Sequence, residues 1–194
     1  MLLHWSDVAI EHERKAWEAR REAERIRDEA VPGQGLPLEL ELRASMVAIA
    51  AASHALDALY GELRDVALPP AIAAKWKTNP RLSPPRPRQL RETLKHGFRI
   101  AAQRWEKELD TLFALRDGAV HPEALLGEPQ PHPLGVNTAI EYVVYRCETA
   151  TEELDLLLEI LETCIEQPKP ALEQWATSMR PSLERLKSDR SSRG

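Results

Sequence analysis

The positions of the prolines divide the chain into segments of helix length. Its 15 prolines fall in four clusters, at 32 and 37, at 69 to 87, at 122 to 133 and at 168 to 181. A proline inside an α-helix costs about 3 kcal/mol, so the stretches between clusters are the candidate helices. Five helices are predicted, at about residues 3–30, 37–66, 88–116, 138–164 and 171–187, the last interrupted or restarted at Pro181.

Composition favours helices packed on helices. Hydrophobic residues make up 43% of the 194 residues and aromatic residues only 5%, so the apolar content is mainly Leu and Ala, which are good helix formers. The length suits one domain. We expect an all-α bundle of four to five helices over residues 37–187. Residues 1–31 are predicted to form a charged helical arm, lying on the bundle or on a second subunit, and residues 188–194 a disordered tail.

Several classes of protein are disfavoured. We find no signal peptide and no run of about 18 apolar residues, so no membrane segment is expected. Cys147 and Cys164 fall in one predicted helix about 25 Å apart, too far for a disulfide, which predicts buried thiols in a cytoplasmic protein. No metal-ligand spacing and no Gly-rich phosphate loop is present, so we expect no metal, no cofactor and no nucleotide-triphosphate hydrolysis.

One cation lies on the apolar face of the third predicted helix. Arg116 follows Leu109 by seven residues and Leu112 by four, which places it on their face. Such a cation needs a carboxylate, an open cleft or an anionic ligand. Gly118 is expected to end the helix, with residues 120–122 leaving in extended form because a residue before proline avoids the helical region.

The turn after this helix would bring Arg116 close to His121. A histidine that titrates near neutrality can move protons while a guanidinium holds a phosphate, which suits RNA cleavage without a metal. The alternative is that Arg116 forms an ion pair with a core carboxylate and that His121 only caps the turn.

The segment from Arg116 through Asp117 to His121, with four residues between the Arg and the His, resembles the signature of the HEPN superfamily (higher eukaryote and prokaryote nucleotide-binding domain). The resemblance covers roughly residues 38–167. It implies a bundle of four or five helices and, in active members, a metal-independent endoribonuclease with two copies of the motif facing each other across a homodimer. By this resemblance Arg116 binds phosphate, Asp117 is the polar neighbour and His121 is the acid-base group. The family's frequent Tyr shortly after the His is missing.

Charge is distributed unevenly. Residues 75–104 carry nine basic residues against Glu92 alone, whereas residues 141–166 carry eight acidic residues against Arg146 alone. A predicted nucleic-acid-binding stripe beside Arg116 contains Arg88, Arg91, Lys95 and Arg99. The alternative is that the basic helix packs against the acidic one. Of the other histidines, His54 is expected to be a hydrogen-bonded core residue, and His132 to lie in a loop that could cover the cleft.

These features predict an RNA-cleaving toxin or antiphage defence effector of the HEPN type, acting as a homodimer on RNA, with an antitoxin or defence protein as a possible partner. The alternative is a non-catalytic HEPN-like module that binds a protein partner or a nucleotide. The missing Tyr and the net charge of −5 favour this second hypothesis.

Overall fold

The computed structural model describes residues 1–30, 32–78, 83–101, 103–120 and 128–192. Within these ranges the chain forms helices joined by short connections, with a 3₁₀ turn at Pro170–Leu172. The helices are α1 (Leu2–Asp28), α2 (Gly35–Ala67), α3 (Pro70–Thr78), α4 (Arg86–Gly97), α5 (Glu106–Val120), α6 (Ile140–Val144), α7 (Cys147–Glu166) and α8 (Glu173–Ser191). A two-stranded antiparallel sheet pairs β1 (Gln130–Pro131) with β2 (Asn137–Thr138).

The predicted all-α bundle is confirmed. Helix α2 lies at its centre and packs against α1, α4, α5 and α7. One hydrophobic core is shared by these helices, and its fully buried members include Leu56, Leu59, Leu63, Leu90, Leu94, Leu109, Leu112, Leu154 and Leu157. Leucine at helical spacing on each facing surface accounts for this packing.

Helix α1, which the charge pattern predicts as an arm, packs along α2 and contributes Leu2, Ala9 and Ile10 to the main core. Its outer face carries ion pairs at helical spacing, including Arg14 with Glu18 and Arg25 with Glu29. Such exposed pairs add only a few tenths of a kcal/mol each. The segment therefore lies on the bundle, which is one of the two positions expected for it.

The third predicted helix, 88–116, is wrong as a single element. Helix α4 ends at Gly97, where an added Cβ would lie 2.6 Å from the Leu172 side chain and 2.9 Å from that of Ala67. Phe98 is extended and forms a bridge with Pro168, and Trp105 has a φ of 61° just before α5 begins. Burial of Phe98 in the core takes precedence over helix continuity here.

The fourth predicted helix is also divided, into α6 and α7. Thr138 and Glu141 are spaced as a capping box for its first turn, but this capping box does not form. Thr138 belongs to β2, and Ala139 precedes the first turn of α6. Apolar spacing predicts an inward face of seven residues for the predicted helix: Val143, Cys147, Ala150, Leu154, Leu157, Leu161 and Cys164. The six that lie on α7 are buried, whereas Val143, on α6, is only partly buried. Both cysteines are free.

Helix α8 passes through Pro181 without interruption and continues to Ser191. The expected break at Pro181 and the expected disorder from residue 188 are therefore wrong for the described part of this segment. Ion pairs of Arg190 with Glu13 at 2.8 Å and with Asp155 hold the last turn against α1 and α7.

One helix of the described residues, α2, is long and apolar enough to cross a membrane by length and composition alone. More than half of its most apolar stretch is buried against other parts of the protein, and the core helix of a soluble protein meets the same criteria.

Candidate functional site

Arg116 lies in the last turns of α5 with its side chain 21% exposed. Its Nη1 donates to Asp57 Oδ2 at 3.2 Å, and its Nε and Nη2 donate to Asp117 Oδ1 at 2.9 and 2.7 Å. The guanidinium also lies 4.8 Å from the centre of the Phe113 ring. The cation on the apolar face is thus held by a carboxylate from α2 and by its own neighbour.

Asp57 joins Arg116 to a second cation that the sequence interpretation missed. Arg86 Nε lies 2.9 Å from Asp57 Oδ1, and Arg86 Nη1 donates to Gln89 Oε1 at 2.8 Å. The Arg86 guanidinium stacks 4.4 Å from the centre of the Tyr60 ring. We call these three charged residues the Arg86–Asp57–Arg116 cluster. Asp57 was detectable as the one acidic residue in the apolar middle of α2.

The last turn of α5 has a further partner, Tyr145, from the break between α6 and α7. Tyr145 Oη donates to the carbonyl oxygen of Leu115 at 3.0 Å, and a Cβ added at Gly118 would collide with the same hydroxyl. Burial raises the pKa of Tyr145, and Glu141 adds to the shift. The expectation that Gly118 ends the helix is wrong, since α5 continues to Val120. Gly118 instead allows the close approach of Tyr145.

His121, the predicted acid-base group, lies outside the described residues, as does the rest of 121–127. The structure therefore brings together Arg116 and Asp117 of the predicted catalytic set. Val120, the last described residue before His121, is 53% exposed, so the helix reaches the protein surface directly before the histidine.

The predicted basic stripe is only partly formed. Arg88, Arg91 and Lys95 share α4, whereas Arg99 follows the end of that helix and is not in register with them. Arg91 is 13% exposed and pairs with Glu106 of α5 at 2.5 Å, and Lys95 lies 3.7 Å from Glu92. The side chains of Arg88, Lys95 and Arg99 are exposed.

The acidic residues of α7 pair with elements other than α4. Four such ion pairs are Arg20 with Glu148, Arg190 with Asp155, Arg104 with Glu159, and Lys187 with Glu162. Two of these cations belong to α8 and one to α1. The alternative, in which the basic segment packs against the acidic one, is therefore realised by one contact, that of Arg104 with Glu159, whereas Arg88 and Lys95 of α4 are exposed.

Two other histidines, His54 and His132, have partners of their own. His54 stacks on Trp5, with ring centres 4.9 Å apart. His132 is buried, and its Nδ1 accepts a hydrogen bond from the Leu134 N–H at 3.2 Å. Burial lowers the pKa of His132, and the nearby cations Arg20 and Arg146 lower it further.

A buried group of polar side chains lies at the start of α7. Donor atoms of Glu41, Cys147 and Glu148 lie within 4.8 Å of one another. The Arg20 guanidinium is 3.6 Å from Glu41 and 3.8 Å from Glu148, and the Cys147 N–H donates to Glu41 Oε1 at 3.2 Å. Arg20, which also donates to Glu24 at 2.9 Å, lies among these carboxylates, so the group is an ion-pair network that joins α1, α2 and α7.

No protein-family model matches this chain, and neither a curated protein nor a solved structure matches it significantly.

Proposed function

We propose that the protein is a HEPN-like, metal-independent endoribonuclease that acts on RNA as a homodimer, in a toxin or defence role. The observation that carries this proposal is the Arg86–Asp57–Arg116 cluster, whose Arg116 lies five residues before His121 in the chain. Among the described residues, three of the five N–H groups of Arg116 have acceptors. The other two have no acceptor among those residues, and in this proposal they bind a phosphate oxygen, since a guanidinium held by carboxylates is already oriented.

We propose the following reaction. The ribose 2′-hydroxyl attacks the adjacent phosphorus, so that the 2′-O–P bond forms and the P–O5′ bond breaks. The products are a 2′,3′-cyclic phosphate and a 5′-hydroxyl. In this proposal His121 takes the proton of the attacking hydroxyl or supplies one to the leaving oxygen, and Arg116 stabilises the charge that develops on the phosphate.

A second candidate is a non-catalytic HEPN-like module that binds a protein partner or a nucleotide. The observation that favours it is the pairing of Arg116, whose Nε, Nη1 and Nη2 all donate to carboxylates of this chain. An arginine neutralised in this way contributes to stability without any ligand.

Incubation of the purified protein with total RNA in a chelating buffer separates the two candidates. We expect cleavage by the wild type and a loss of about 10²-fold or more in the His121→Ala and Arg116→Ala variants. Arg43→Ala removes an exposed arginine of α2 and is the matched control. Cleavage that persists in both site variants contradicts the enzyme, and a folded protein that cleaves no RNA favours the binding module.

A further inference from the structure

A cavity of about 210 Å³ lies beside the Arg86–Asp57–Arg116 cluster, between the end of α2, helix α3 and the start of α4. Its wall contains Tyr60, Arg64, Asp65, Trp76, Arg86 and Gln89. Ligand pockets for drug-sized molecules usually measure about 300–1,000 Å³, so this cavity has room for one flat ring system and not for a whole oligonucleotide.

The wall combines aromatic rings with guanidinium groups. Arg86 lies 4.4 Å and Arg64 lies 6.0 Å from the centre of the Tyr60 ring. Single-stranded RNA is recognised in this way in general, because unstacked bases stack on aromatic rings and on guanidinium planes while cations hold the backbone.

Contacts within the protein fix Arg86 in position, whereas Arg64 has an N–H group that can still donate to a ligand. Arg86 contacts Asp57 and Gln89, and Gln89 in turn donates to the Pro84 carbonyl oxygen at 2.7 Å. Among the described residues the carboxylate nearest to Arg64 is that of Asp65, 3.5 Å from its Nε, and this Nε is buried without a hydrogen-bond acceptor. A buried donor without an acceptor is costly, and an incoming phosphate or base oxygen would satisfy it if the side chain turned.

We infer that this cavity is a nucleobase subsite, which holds one unpaired base of an RNA strand whose phosphate lies at Arg116. Trp76 and the Arg86 plane form the stacking surfaces, Tyr60 supports the Arg86 plane from the core, and Arg64 holds the adjoining phosphate. Asp57 links the subsite to the cleavage position, because its two carboxylate oxygens contact Arg86 and Arg116. The inference rests on the proposed function for the choice of RNA as the polymer.

Binding of a fluorescein-labelled, mixed-sequence hexaribonucleotide to the His121→Ala protein, measured by anisotropy, tests this subsite. We expect Trp76→Ala to weaken binding by at least about fivefold, because stacking of a base on an aromatic ring contributes that much affinity. Trp76→Phe should retain most of it. Arg64→Gln should also weaken binding, whereas Arg43→Gln, at an exposed arginine of the same helix, should not. Circular dichroism and urea unfolding verify that each variant is folded.

Hexamers with one abasic nucleotide provide a second measurement that does not depend on any protein variant. At one position in the hexamer, removal of the base should weaken binding to the protein with the wild-type cavity as much as Trp76→Ala does. In the Trp76→Ala protein, removal of the same base should not weaken binding further. Equal weakening at every position, or wild-type affinity in folded Trp76→Ala and Arg64→Gln proteins, overturns the subsite. If the cavity variants weaken binding but the wild-type protein cleaves no RNA, the nucleobase subsite is supported and the endoribonuclease function is contradicted. If the Trp76→Ala and Arg64→Gln variants cleave RNA as well as the wild type, the endoribonuclease function is supported and the subsite is contradicted.

Discussion

Tyr145 donates a hydrogen bond from its hydroxyl to the carbonyl oxygen of Leu115 at 3.0 Å, which ties the break between α6 and α7 to the last turns of α5. The same hydroxyl occupies the space beside Gly118. Since Leu115 directly precedes Arg116, the orientation of the candidate site depends on a residue 30 positions away in the chain.

Gly118→Ala should destabilise the protein by about 1–3 kcal/mol, although alanine is the better helix former by about 1 kcal/mol. The reason is that the added Cβ would collide with the Tyr145 hydroxyl. In the Tyr145→Phe protein this obstacle is gone, and the same substitution should become neutral or stabilising. Urea unfolding of the four proteins of this double-mutant cycle measures the change.

The cycle contains its own control, because Tyr145→Phe alone removes one hydrogen bond and should cost about 1 kcal/mol. Equal effects of Gly118→Ala in the two backgrounds would show that the hydroxyl does not determine the choice of glycine.

Asp57→Asn should strengthen RNA binding severalfold and increase its dependence on salt. The substitution removes the carboxylate charge shared by Arg86 and Arg116, so that two guanidinium groups become available to phosphate. Stability should fall by about 1–2 kcal/mol, because both cations lose their anionic partner. Binding at several salt concentrations measures the effect, with Glu39→Gln, at an exposed carboxylate of the same helix that pairs with Arg43, as the matched control. Unchanged or weaker binding by Asp57→Asn contradicts a phosphate-binding role for the cluster.

The helical architecture could be predicted from local signals. Leucine spacing on α7 fixes its inward face, and this assignment is independent of the rest of the chain. The ends of the helices are harder to predict from the sequence, because they depend on contacts between residues that are distant in the chain. Gly97 ends α4 where the helix meets Leu172 and Ala67, and Phe98 turns into the core to bridge with Pro168. Gly97 is a local signal for a helix end, but the residues around position 97 do not show that Leu172, Ala67 and Pro168 are its neighbours and those of Phe98.

The part of the candidate site that could be predicted from the sequence is the part that depends on helical periodicity. The position of Arg116 on an apolar face indicated that it needs a partner, and the partner is Asp57. Its identity could not be predicted, since 59 residues separate the two. Arg86 was missed because it lies in a proline-rich segment with no periodic pattern, where only the tertiary structure shows that it meets the same carboxylate.

The buried pair of Arg20 and Glu41 should be important for stability. Their exposed fractions are 5% and 2%, and burial raises the pKa of Glu41 although the Cys147 N–H and Arg20 oppose the shift. Glu41→Ala removes the α2 carboxylate beside Arg20 and the acceptor of the Cys147 N–H, while Arg20 keeps Glu24 and Glu148, so we expect a loss of about 2 kcal/mol in urea unfolding. Glu39→Ala, at an exposed partner of Arg43 on the same helix, should cost no more than about 0.5 kcal/mol. Similar values for the two variants would contradict a structural role of the buried pair.

Glu153 should make the protein less stable as the pH rises. Only 7% of its surface is exposed, and burial, followed by the charges of Glu152 and Glu108, raises its pKa from 4.5 to about 7. Between these two values the unfolded chain has released this proton while the folded protein keeps it. Stability is therefore lost from about pH 4.5 upward, and the loss is complete above about pH 7.

Glu153→Gln replaces the protonated carboxyl by a neutral group of the same shape. The variant should be more stable than the wild type by roughly 3 kcal/mol at pH 8 and by less than about 1 kcal/mol at pH 5. Glu166→Gln, at an exposed glutamate of the same helix, should change stability by less than about 0.5 kcal/mol at both pH values. Urea unfolding of the three proteins at both pH values measures these differences. An equal effect of Glu153→Gln at pH 5 and pH 8 would show that this carboxyl does not titrate between them.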